Sequence, residues 1–160
     1  MRKTSLAAAL FSLVIVLPCF ASASGLVEFE RVWPRYRDTA SFTRLGEYFG
    51  AAPDATNRHA LRSQPASRAG YYWMIRTRSD APLTDCTVAL EILRSGTVDV
   101  QTHTFTTDLA SGRHPFHLGL TGSDWTDPAE RPIAWRITLT ASDGTPLNST
   151  QSFLWDQSTS

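Results

Sequence analysis

Three histidines, His103, His114 and His117, fall within fifteen residues, and His114-Pro-Phe-His117 has a spacing that could serve a metal ion. A structural zinc site takes four ligands. In an extended strand, however, His114 shares a face with Phe116, and His117 points to the other side. We therefore expect no metal site. Asp124, Asp127 and Glu130 could supply the paired carboxylates of a glycosidase. They lie in a proline-containing loop, where aspartate is also an ordinary turn former. Nucleophilic catalysis finds little support. Gly-x-Ser-x-Gly is absent, and Gly122-Ser-Asp124 lacks the strand-to-helix setting of an esterase. No glycine loop of the phosphate-binding kind is present. We expect no catalytic residues and no cofactor. Asn148-Ser-Thr150 matches a glycosylation sequon.

Aromatic residues are the other candidates. The chain has five tryptophans. Trp73 and Trp135 fall at inward parity, whereas Trp125 sits in the loop Gly122-Ser-Asp-Trp-Thr-Asp-Pro128. Exposed, Trp125 could stack on a sugar or anchor a protein, with Asp124 and Asp127 beside it. Folded back, it would plug the open end of the domain, which is the reading we prefer. Arg76 and Arg78 share one parity and could form a basic contact strip. Cys86 lies in Cys86-Thr-Val88-Ala-Leu90-Glu-Ile92, on the apolar parity. It reads as a buried hydrophobe rather than a nucleophile.

These residues belong to a chain of 160, 42% hydrophobic, 11% aromatic and 19% charged. That composition excludes a disordered chain. Fifteen basic residues balance fifteen acidic ones, which argues against a nucleic-acid binder. Arg2 and Lys3, an apolar run from Leu6 to Leu17, and Ala21-Ser22-Ala23 have the order of a secretory signal, with cleavage expected after Ala23. Cys19 as a lipoprotein anchor is the secondary reading, because Pro18 before it fits a lipobox poorly. The run is too short to span a bilayer, and no later segment is a candidate. The expected mature chain is soluble, secreted or periplasmic, and free of lysine. From Gly25 to Ser79 its charge is +4, and from Asp80 onward −6. With Cys86 its only cysteine, it has no internal disulfide and must rely on a core.

Period-two alternation supplies that core. Strands are expected near 70–78, 86–94, 97–106, 115–121, 132–141 and 146–155. Turn signals separate them, the strongest being Asp143-Gly144. An earlier segment, 24–69, reads as a first strand at 26–33, a short helix at 39–49 and a loop with a short strand at 60–62. The helix carries Phe42, Leu45 and Phe49 on one face, which we expect to dock on the parity of Tyr72 and Met74.

From Gly70-Tyr-Tyr-Trp-Met-Ile75 to Ser152-Phe-Leu-Trp155, the order of patterns resembles an immunoglobulin-like or fibronectin type III-like module. The paired cysteines of a true immunoglobulin domain are absent. The resemblance covers residues 70–156 and implies an all-β antiparallel sandwich of about six to seven strands. Such modules commonly bind or space other proteins. The expected function is a non-enzymatic interaction or structural module, with a protein or glycan partner in the cell envelope. The alternatives are a carbohydrate-binding module built on the Trp125 loop, and a small secreted hydrolase.

Overall fold

The computed structural model describes residues 26–43 and 60–158. Its strands are β1 (Val27–Arg37), β2 (Ala60–Arg62), β3 (Gly70–Ser79), β4 (Leu83–Leu93), β5 (Gln101–Leu109), β6 (Gly112–Thr121), β7 (Ala134–Thr140) and β8 (Pro146–Gln151). They form two four-stranded sheets, ordered β1-β3-β6-β2 and β5-β4-β7-β8. All neighbours run antiparallel except β2, which lies parallel to β6.

The core lies between the sheets, built by the alternation seen in the sequence. Trp73, Ile75, Phe116, Leu118 and Leu120 from the first sheet meet Val88, Leu90, Ile92, Ile137 and Leu139 from the second. Tyr72, Met74, Arg76 and Arg78 occupy the opposite parity of β3, outside the sandwich. Tyr72 is nonetheless fully buried, and its ring lies over Gly119 of β6. A Cβ on Gly119 would come within 2.4 Å of that ring. The Tyr72 hydroxyl donates to the Arg68 carbonyl at 2.7 Å and accepts from Arg62 Nε at 2.9 Å.

Several boundaries differ from expectation. The first strand continues past Trp33 to Arg37, through Pro34. An edge strand tolerates proline, since the missing N–H costs no ladder bond on its free side. The fifth strand starts at Gln101, not 97. Gly96 has φ +82°, the turn is closed by Thr97 N–H to the Arg94 carbonyl, and Val98 is 94% exposed. Ile133, inside the expected strand near 132–141, lies outside β7 and is exposed. The last strand ends at Gln151, Phe153 is exposed, and Trp155 opens a four-residue helix, α2 (Trp155–Ser158). A helical turn, α1 (Thr39–Thr43), starts where the short helix was expected. Its remainder lies outside the described residues, as do the side chains of Phe42, Leu45 and Phe49 on which the expected docking rests, the signal segment and Cys19. Among the described residues no helix is long and apolar enough to cross a membrane.

Cys86 is fully buried on the inner face of β4. Burial pushes its thiol above the ordinary value, and the carboxylates of Asp108 and Asp85 add to that. A disulfide reagent such as DTNB should therefore label Cys86 only after denaturation. Rapid modification of the native protein would contradict this placement.

Candidate functional site

The residues singled out from the sequence separate into two groups. Trp125, Asp124 and Asp127 lie at the end of the sandwich where β3 begins and β6 finishes. Arg76 and Arg78 lie toward the other end, on the outer face of the first sheet.

The end group is held by its own hydrogen bonds. The three-residue turn Gly122–Asp124 brings Trp125 back over the core, where it is 2% exposed. Its ring lies 4.7 Å from that of Tyr71, and edge-on to Trp73 at 6.3 Å. Its indole N–H donates to the Asp127 carbonyl at 3.1 Å. The Arg94 guanidinium lies over the same ring, 4.4 Å from its centre. Arg94 also forms a bidentate pair with Glu130 and donates to the Asp124 carbonyl at 2.9 Å. The pairing with Glu130 is the main reason the guanidinium is held above its ordinary value. The Asp127 carboxylate accepts from Ala129 N–H at 2.8 Å, an Asx turn. Trp125 is thus the plug of the open end. Stacking a sugar would require a ring face in water, and this ring is covered. An open cleft of about 520 Å³ lies beside the plug, between Tyr36, Ser67, Arg68 and Thr126.

The histidines do not converge. His103 lies on β5 in the second sheet, where burial lowers its imidazole below the usual value. His114 and His117 lie on β6, with His114 beside Phe116 at 6.4 Å between ring centres. Among the described residues no three His, Cys, Asp or Glu side chains are grouped to hold a metal ion. Asn148 of the sequon donates through Nδ2 to the Val27 carbonyl at 2.7 Å.

The outer face of the first sheet is different. The parity of β1 that points outward carries Arg31, Trp33, Arg35 and Arg37, and that of β3 carries Arg76 and Arg78. Arg113 of β6 and Arg62 of β2 extend the face on its far side. Arg31 stands directly opposite Arg76 across the β1–β3 ladder. Like charges so placed are destabilising, since Cβ atoms of facing residues are only about 4.5–5.5 Å apart. Both guanidiniums lie over the Trp33 ring, at 4.3 and 5.5 Å from its centre. Arg31, Arg35, Arg76 and Arg78 are all exposed, and none makes an ion pair among the described residues. The acids of this face are Glu28, opposite Arg78, and Glu30, which sits at a β-bulge and pairs with Arg113 at 2.8 Å. Glu30 is held below the usual carboxylate range, first by its bond to Arg113 and then by the charges of Arg113, Arg78 and Arg76.

Arg31, Trp33 and Arg35 escaped the sequence reading, although the period-two spacing of Arg31, Trp33, Arg35 and Arg37 carries the signal. Ending the first strand at Trp33 broke that ladder in half. Neither a comparison with protein-family models nor one with curated proteins finds a match for this chain.

Proposed function

We propose that the protein is a non-enzymatic interaction module of the cell exterior or periplasm, and that the outer face of its first sheet is the contact surface. The observation that carries this reading is the facing pair Arg31 and Arg76, both exposed and neither in an ion pair among the described residues. A fold gains nothing from two guanidiniums held against each other, whereas an anionic partner turns the repulsion into attraction. The end loop, by contrast, spends its polar groups on itself.

An immunoglobulin-like or fibronectin type III-like assignment supports the same reading. In the strand letters of those modules, β1-β3-β6 corresponds to A-B-E, and β5-β4-β7-β8 to C′-C-F-G. The short β2 occupies the edge beside β6 that strand D takes in a constant-type sheet. Placement outside the cytosol rests on the signal-like N-terminus.

The test is capture of the exported protein, with residues 1–23 removed as checked by intact mass, on isolated envelope material. Binding should weaken as salt rises, because exposed charges are screened. Arg31→Gln with Arg76→Gln should abolish it while the melting temperature stays level or rises, since Glu30 offsets only part of the repulsion being removed. Unchanged capture of the double variant would sink the proposal.

A further inference from the structure

Resting on that reading, we propose that the partner of this face is an acidic polysaccharide, gripped by Arg31, Arg35, Arg76 and Arg78 around Trp33. Strands rise about 3.3 Å per residue and lie about 4.8 Å apart. Arg31 and Arg35 are therefore about 13 Å apart along β1, and Arg76 and Arg78 about 7 Å apart along β3. The four cations make a strip rather than a pocket, which suits an extended chain carrying an anionic group on successive sugars. Guanidinium forks match carboxylate and sulfate oxygens two bonds at a time.

Trp33 is a positioning residue. It is half-buried, and its ring carries the Arg31 and Arg76 guanidiniums. Those contacts limit the rotamers of two long side chains before any ligand arrives, which lowers the ordering cost of binding.

Three other partners fit this face less well. A membrane-binding face inserts apolar side chains, yet among the described residues the only exposed large hydrophobic on the outward parity of β1 or β3 is Leu26, at the margin of the face. A protein interface is anchored by buried apolar residues at its centre, and here the centre is a tryptophan already covered by arginine. A nucleic-acid binder carries a basic excess, and the formal net charge of this chain is zero.

The decisive experiment is titration of the mature protein with polygalacturonate and dextran sulfate. Neutral dextran, phosphatidylglycerol vesicles and a DNA duplex are run in parallel. The expected result is saturable, salt-sensitive binding to the two acidic polymers and none to neutral dextran, with vesicles and duplex much weaker. Arg31→Gln and Arg76→Gln should each weaken binding on the order of tenfold and flatten its salt dependence. Arg131→Gln, in the loop before β7, should not. Trp33→Leu should weaken binding several-fold with its salt dependence kept, and Trp33→Phe should restore most of it. Equal or tighter binding to vesicles or DNA overturns the polysaccharide assignment. So does envelope capture that depends on Arg31 and Arg76 while neither acidic polymer binds, and the proposed contact face then survives. Loss of that dependence removes both.

Discussion

Trp125→Ala should lower the melting temperature by roughly 10–20 °C, from a loss of about 3–5 kcal/mol. The indole is 2% exposed, so its removal leaves a cavity under Arg94 and strips the ring contacts from Tyr71 and Trp73. The surrounding loop cannot collapse into the space easily, because Arg94 is tied to Glu130 and to the Asp124 carbonyl. Trp125→Phe should cost distinctly less, since it keeps an aromatic plug and loses only part of the ring and the bond to the Asp127 carbonyl. Thermal unfolding followed by circular dichroism reads both. An alanine variant that melts within 3 °C or so of the parent would show that the end of the sandwich is not closed by this residue.

The second large effect belongs to Gly119→Ala. Antiparallel strands often rescue a weak glycine with an aromatic ring from the neighbouring strand, and Tyr72 plays that part here. A methyl group at Gly119 would meet Tyr72 Cε1 at 2.4 Å, closer than any real contact. The ring cannot swing away freely, because its hydroxyl is held by the Arg68 carbonyl and by Arg62. Moving it combines overpacking strain with the loss of two hydrogen bonds, about 2–4 kcal/mol together. The two sites are in contact, so their effects should not add. In a Gly119→Ala, Tyr72→Ala double variant the clash disappears, and the combined loss should fall below the sum of the single losses by 1 kcal/mol or more. Simple additivity would mean that the ring is not where the structure puts it.

The sandwich was legible because its inner residues obey one rule. From Cys86 to Ile92 and from Trp135 to Leu139 every second side chain is apolar, and that pattern has only one comfortable solution. The outer face obeyed no such rule. Tyr72 looks from the sequence like half of an exposed apolar patch, and only the pairing of β3 with β6 reveals the glycine that receives it. The same pairing problem hid the arginines. Arg31 and Arg76 are forty-five positions apart, and nothing local says that they will face each other. Trp125 was ambiguous for a different reason. Whether a loop tryptophan turns inward depends on the arginine that covers it, and Arg94 belongs to the end of another strand. Boundaries failed where a hydrophobic residue sat in a turn, as Val98 and Phe153 do, because alternation takes no account of whether a neighbouring strand exists to pair with.

The bond between Asn148 Nδ2 and the Val27 carbonyl spans 121 positions. Neighbouring strands such as β4 and β5, or β7 and β8, close short loops and meet early. The ends of the chain must search far longer, because closure entropy grows with the length of the loop. β1 has one neighbour in its sheet, β3, and as an edge strand it should lift more easily than β4, which is paired on both sides. Its amides should exchange with solvent through a partial opening, while those of β4 wait for global unfolding. Half of the arginine strip rides on that edge strand. A polymer that grips Arg31 and Arg35 together with Arg76 and Arg78 would bind only the docked form, and would slow exchange along β1 by holding it against β3.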